Sequence, residues 1–366
     1  MNRLFNDEAD FLQSLSFDDL KESYAKEKAE LMIKVEADIA DCSPQKAREL
    51  RDEIRTDREH RKILNACVYP FATKMSSVRK LGYYFLRAAP LLEKEIPNLD
   101  FLVYKPGSTT PGLAIFGEAK GTISDPPSEI KQTTDRVSVV MENAEYCKTS
   151  YLGGQSSSFE FVLGVSSIDS NNVAKAVARR GVGLIVWHSE RSANPQLTIH
   201  VPAEKEARES MMHSDDNLNR ELGKKVPTSL EFKTFFLQSH KIAKLLVLIG
   251  IDKFSPDGTF TKGDLTNIVE RELDYVDDPD TISRETETIL TTAIKIGFVS
   301  PLGEDRYKIK SRYRNSASRE TDLIDKWLEY RLGEIADNQR QDAVRKVREK
   351  YRRLRASRPD LAAFLK

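Results

Sequence analysis

A chain of 366 residues is longer than one small core can fill, so its length predicts two or three folded units. With 39% apolar and 31% charged residues and no long apolar run, it reads as a soluble, globular, cytoplasmic protein, which excludes a disordered chain and a membrane protein. Its 57 basic residues balance 57 acidic ones, so the totals call for no polyanionic partner.

The opening segment, MNRLFNDEADFLQSLSFDD, is acidic and lacks the apolar stretch of a secretory signal. Cys42, Cys67 and Cys147 are scattered, which argues against a disulfide framework and against a zinc knuckle and fits a reducing compartment. Residues 17–41 and 44–66 carry apolar side chains at helical spacing, Leu20, Tyr24 and Leu31 in the first and Leu50, Ile54 and Ile63 in the second. Ser43 followed by Pro44 is the cap and first-turn pair of a new helix, so the N-terminal region, 1–68, is expected to be a helical hairpin. A third and more apolar helix is expected over 71–94, suited to lie on a sheet.

The period then shortens. Residues 99–104, 113–120, 159–166, 182–188 and 196–201 are brief β-branched or aromatic runs bounded by Gly, Pro, Ser or Asn, with helical patterns at 127–149 and 171–180. That order predicts an α/β sandwich over 69–204, its central strands buried on both faces. Residues 205–239 are polar and read as a helical linker.

Three helical patterns follow at 241–251, 261–275 and 282–297, and two short runs then flank a Gly-containing turn, which predicts a winged helix over 240–312. In the third helix, Ser283, Arg284, Thr286, Thr288 and Thr291 are expected off the apolar face made by Ile282, Ile289, Leu290 and Ile294. Arg284, Arg306 and Lys308 are the candidate DNA contacts of this unit, although Asp274, Asp277, Asp278 and Asp280 ahead of the helix would repel phosphate. The last region, 313–366, reads as a basic helical tail. Between Arg340 and Arg358 nine Arg or Lys face only Asp342 and Glu349, so Arg352 and Arg353 are candidates to follow a phosphate backbone; the plain alternative is a solvated helix face with its own ion pairs.

Charges at the end of a buried strand are costly unless they are used, and the run 113–116 leads straight into Glu118 and Lys120. Alternation puts both on one face. The turn-rich loop 105–112 returns the chain, so antiparallel pairing sets Asp100 opposite about residue 117 and gathers three charges at one sheet edge. Two close carboxylates repel unless a cation sits between them, and Mg²⁺ accepts one or two carboxylates while keeping waters for chemistry. Lys120 is placed to orient or help deprotonate such a water, or to stabilise phosphate charge.

Asp100 and, eighteen residues on, Glu118-Ala119-Lys120, set at the ends of adjacent strands behind a helix, resemble the PD-(D/E)XK, or restriction-endonuclease-like, nuclease superfamily over residues 71–202. The resemblance implies that Asp100, Glu118 and the backbone carbonyl of Ala119 bind Mg²⁺, with Mn²⁺ as an alternative, and that Lys120 positions the attacking water. Gln132 matches the place of an assisting Gln or Lys. The family's Pro-Asp is Leu99-Asp100 here, with Pro97 displaced, and Glu93 and Glu95 are the nearest acids for the ligand that many members carry on their first helix.

The expected protein is therefore an α/β restriction-endonuclease-like enzyme, with a helical N-terminal region and a C-terminal winged helix, that cuts double-stranded DNA in restriction, phage defence or transposition-like end processing. It is expected to act as a homodimer or in a heteromeric complex. The rival readings are a non-catalytic winged-helix DNA-binding regulator on a nuclease-like scaffold, and an RNA-directed nuclease, for which aromatic stacking platforms are missing. His188 and His200 read as core or edge histidines without ligand partners, and Trp187 and Trp327 as packing residues.

Overall fold

The computed structural model describes residues 2–15, 17–73, 76–91, 94, 99–107, 111–180, 182–188, 196–200, 215–223, 241–249, 257–272, 279–311 and 316–357. The chain divides into two units, Met1–Asp52 with Asp325–Lys366, and Glu53–Ile324. Among the described residues no helix is long and apolar enough to cross a membrane.

The first unit contains α1 (Asn2–Ser14), the leading part of α2 (Asp18–Ala72) and most of α11 (Ser316–Ser357). The expected break at Ser43-Pro44 does not occur: α2 runs through it as one helix. A proline inside a helix removes one backbone bond and costs about 3 kcal/mol. Pro44 is exposed, so water reaches the freed carbonyl, and ion pairs to α11 hold the helix on both sides of it. Glu36 meets Arg340 at 2.6 Å before the proline, and Arg51 meets Asp325 at 3.2 Å after it. With Glu27 on Lys350 at 2.7 Å, the contacts climb one helix as they descend the other, so the hairpin is antiparallel and joins the two ends of the chain. Phe11, Leu15, Leu20 and Tyr24 pack with Val347 and Tyr351 to form its core, where the Tyr24 and Tyr351 rings meet edge to face at 5.5 Å.

In the second unit a six-stranded mixed sheet is built from β1 (Tyr84–Ala88), β2 (Phe101–Lys105), β3 (Gly112–Ala119), β4 (Ser157–Ser166), β5 (Val182–His188) and β6 (Gln196–His200), adjacent in chain order. β3, β4 and β5 are parallel, and the remaining neighbours are antiparallel. The molecule is thus a mixed α/β protein. The helix expected over 71–94 is instead the short α3 (Ser77–Lys80) followed by β1. Gly82, at φ 89°, takes the chain out of the helical region, and the aromatic segment beyond it pairs with β2 as an edge strand.

The two faces of the sheet carry separate cores. The end of α2 covers one, with Ile63, Leu64, Cys67, Val68 and Phe71 over Leu113, Ile115 and Ala119 of β3. α4 (Pro126–Glu142), α5 (Ala144–Tyr151) and α6 (Ser170–Ala178) cover the other, over Ala114 and Phe116. α7 (Asp216–Leu222) falls in the expected linker, yet its Leu218 and Leu222 are buried in the first core; a single apolar stripe on seven residues is too short to stand out from polar surroundings.

The described residues between 241 and 309 form α8 (Lys241–Leu246), β7 (Thr259–Thr261), α9 (Lys262–Glu272), α10 (Pro279–Lys295), β8 (Val299–Gly303) and β9 (Arg306–Ile309), with the strands in the order β7-β9-β8. Thr286 is fully buried, its hydroxyl donating to the Ile282 carbonyl, so it belongs to the packed face of α10 rather than the exposed one, while Ile294 is exposed. A polar side chain that can bond its own helix carries no sequence mark of which way it faces.

Candidate active site

The site forms where β3 ends. Ala114 and Phe116 point toward α4, so Glu118 and then Lys120 follow on the same face. Phe101 pairs with Gly117, which places Asp100 opposite Glu118, one residue further than the expected register. Asp100 donates its backbone N–H to the Gly117 carbonyl and receives the Ala119 N–H on Oδ2, each at 2.8 Å, so its carboxylate is pinned at the strand end.

Each carboxylate has its own partners. His60 on α2 donates from Nε2 to Asp100 Oδ2 at 3.1 Å. Lys120 Nζ and Arg136 of α4 both lie 2.8 Å from Glu118 Oε1. Lys120 also reaches Glu129 at 2.8 Å and donates to Gln132 Oε1 at 2.6 Å. Glu129, Gln132 and Arg136 share one face of α4 by helical spacing. Glu118 is completely buried, and its second oxygen, Oε2, has no hydrogen-bond partner.

The electrostatics follow from this packing. Burial drives the Glu118 carboxyl above its usual range, against the pull of Lys120 and Arg136 and with a push from the Asp100 charge. Burial acts upward on Asp100 too, but the His60 hydrogen bond and charge, the Ala119 N–H and Arg136 outweigh it and leave that carboxyl lowered. Burial works against the charge on Lys120, and Glu118 and Glu129 more than restore it, so the ammonium is held above its ordinary range. Beneath the site, burial and the Asp100 charge push the Cys67 thiol up to about 12, which makes it a packing group and not a nucleophile.

The structure brings Glu118, Lys120 and Gln132 into direct contact and sets Asp100 and Ala119 beside them. Glu93, Glu95 and Pro97 lie outside the described residues, as do the side chains of Trp187, His188 and His200 and residues Asp274, Asp277 and Asp278. The residue that α2 presents to Asp100 is His60. His60, Glu129 and Arg136 are the site groups that sequence reasoning missed. Glu129 and Arg136 stand three before and four after Gln132, the one signal that could have placed them; nothing in the sequence marks His60 among its charged neighbours.

Among the described residues no group of three or more His, Cys, Asp or Glu is arranged to hold a metal ion. Two carboxylates, one with a buried oxygen lacking a partner, are oxygen donors of the kind Mg²⁺ takes.

The candidate DNA contacts are spread over both units. Arg284, Arg306 and Lys308 are exposed in the second; Arg284 donates to Thr281 Oγ1 at 3.1 Å. The turn between β8 and β9 is acidic, Glu304-Asp305, and Glu287 on the exposed face of α10 neutralises Lys262 at 2.6 Å. Arg352 and Arg353 are exposed on α11 in the first unit, with Arg352 5.6 Å from the centre of the Phe11 ring. Arg340 and Lys350 of the same tail are paired to Glu36 and Glu27, so part of its positive charge is spent within the chain. Comparison with protein-family models, curated proteins and solved structures yields no match to this chain.

Proposed function

We propose that this protein is a Mg²⁺-dependent DNA endonuclease with a restriction-endonuclease-like domain and a winged-helix module. The observation that supports it most directly is the completely buried Glu118, with an oxygen lacking a partner, beside Asp100 and Lys120 at the end of β3. A buried carboxylate in that condition is expensive in a purely structural role. Asp100, Glu118 and the Ala119 carbonyl are the groups to hold the ion, with Mn²⁺ as a substitute. When bound, the ion supplies Lewis-acid activation of water and charge for the phosphoryl oxygens.

The chain's own groups divide the remaining work. Glu118 and Glu129 hold the Lys120 ammonium above its ordinary range, which suits it to act as a hydrogen-bond donor and a fixed positive charge. Gln132 and Glu129 hold Nζ in place from α4. Ala119 N–H and His60 fix the rotamer of Asp100. Arg284, Arg306 and Lys308, with Arg352 and Arg353, are the candidate duplex contacts, and cutting both strands calls for a second active site from a homodimer or a partner subunit. Restriction, phage defence and transposition-like end processing all use such an enzyme.

The test is incubation of the full chain with supercoiled plasmid and Mg²⁺, beside Glu118→Ala and Lys120→Ala. Nicking or linearisation by the wild type alone is the expected result. Cleavage by all three would remove this site from the chemistry. A wild type that binds duplex in a gel shift without cutting would favour the second reading, a non-catalytic regulator, which the acidic turn of the small sheet does nothing to strengthen.

A further inference from the structure

Glu118 Oε1 is shared by two cations, whereas one would neutralise it. Lys120 is itself held by Glu129 and Gln132, but among the described residues Arg136 pairs with Glu118 alone, and its side chain is 27% exposed where that of Glu118 is 1%. Arg136 is therefore the more exposed of the two cations on Glu118, its side chain 27% accessible against 13% for Lys120. Charge counting gives this position a purpose. Asp100, Glu118 and Glu129 contribute three negative charges, Lys120 and Arg136 two positive ones, and His60 adds another when protonated. Empty, the cluster is balanced to within one charge. A divalent ion on Asp100 and Glu118 turns it positive by one or two units, and Arg136, no longer required to neutralise Glu118, is the cation free to pair outward.

We propose that Arg136 is a further catalytic residue of this site: it binds the non-bridging oxygens of the phosphodiester to be cut, and it does so only when a divalent cation occupies Asp100 and Glu118. This rests on the nuclease reading for the cut itself, though not for the binding. A planar guanidinium meets two phosphate oxygens at once, which an ammonium does not, and its place on α4, one turn past Gln132, sets it 2.8 Å from Glu118 at the end of β3. Glu118 thus serves as a parking place for the guanidinium while the site holds no ion, and the ion and the substrate are recruited in that order.

The experiment compares full-length wild type, Arg136→Ala and Arg136→Lys, with thermal melts to verify folding; the lysine variant keeps the charge on Glu118 if the alanine variant does not fold. Affinity for a fluorescent blunt duplex is measured by anisotropy in EDTA and in Ca²⁺, and Mn²⁺ binding by electron paramagnetic resonance. In Ca²⁺ the wild type is expected to bind about tenfold tighter than in EDTA, and both variants to lose most of that gain, while in EDTA all three agree within about twofold. Mn²⁺ affinity is expected to be unchanged or tighter in Arg136→Ala, because a competitor for Glu118 has gone. In Mg²⁺, plasmid cleavage by either variant is expected to fall by about 100-fold in kcat. Loss of Mn²⁺ binding in both variants, or a Ca²⁺ gain that is absent from the wild type or survives in the variants, overturns the proposal. A wild type that shows the Arg136-dependent Ca²⁺ gain and never cuts would overturn the nuclease reading and leave the phosphate site standing.

Discussion

Gly121 follows Lys120 at the point where the chain leaves β3, and α2 crosses it at very close range. A methyl group there would sit 2.4 Å from the His60 backbone nitrogen and 2.7 Å from the Glu59 carbonyl carbon. Those are helix backbone atoms and cannot turn aside as a side chain does, so Gly121→Ala must push α2 off the strand end. Overpacking of that kind costs about 1–3 kcal/mol. The same displacement carries His60 away from Asp100, and a hydrogen bond to a charged group contributes about 1.5–3 kcal/mol. Together these predict a loss of about 2.5–6 kcal/mol in the sheet-bearing unit. The control is Gly153→Ala, where φ is 62° and nothing lies within 4 Å of the added carbon; only the left-handed backbone is penalised, by about 1–2 kcal/mol. Hydrogen exchange of the β3 amides in rising urea reads the stability of this unit separately from the rest. A His60→Ala partner completes a double-mutant cycle, and its effect should be mostly absent in the Gly121→Ala background. If Gly121→Ala costs no more than the control, or adds fully to His60→Ala, the close approach of α2 does not hold Asp100.

Three further outcomes follow from the packing. Asp215 caps α7 through the Leu218 N–H and accepts from Tyr83 and Lys105; burial raises its carboxyl, those partners lower it further, and the net shift is downward from 3.8. A lowered carboxylate stabilises the fold above its unfolded value and loses that contribution as pH falls through the folded value, so wild-type stability should drop below about pH 4, while Asp215→Asn, still a good cap, should lose part of this acid dependence in urea titrations from pH 2 to 6. Glu304 and Asp305 both take positive φ, 47° and 59°, in the two-residue turn of the small sheet, and Asp305→Gly is expected to stabilise it by about 0.5–1 kcal/mol in the same exchange measurement. Pro44 interrupts the bonding of an exposed stretch of α2, so Pro44→Ala should strengthen the first unit by up to about 3 kcal/mol and slow exchange around residues 40–48; an unchanged rate would show that the helix has already adapted to the proline.

Strands were legible in the sequence where their period was short and their ends were marked. β2 to β6 all carry apolar runs closed by Gly, Pro, Ser or Asn, and each lies within a few residues of its expected place. β1 was not legible, because Tyr84, Phe85, Leu86 and Arg87 satisfy a helical pattern as well as a strand, and only the positive φ of Gly82 decides between them. The antiparallel pair of α2 and α11 was hidden for a different reason. Glu27, Glu36 and Arg51 find partners about three hundred residues away, and a charged helix face reads the same whether it meets water or another helix. Ser43-Pro44 then gave a genuine local signal that a distant partner overrode.

The site divides along the same line, and the division bears on how it works. Asp100, Glu118 and Lys120 stood out because charge at the end of a buried strand breaks the local pattern. Arg136 and Glu129 did not, because on an amphipathic helix charge is the pattern, and only the face they share with Gln132 set them apart. Yet these helix groups decide the state of the strand groups: without Arg136 and Lys120, the buried Glu118 would have neither counter-charge nor hydrogen bond, and it would take up a proton. Lys120 and Arg136 thus oppose the upward push of burial on Glu118. Removing the guanidinium therefore leaves the carboxylate to the ion, with Lys120 still beside it, and abolishes the gain in DNA affinity that a divalent ion brings.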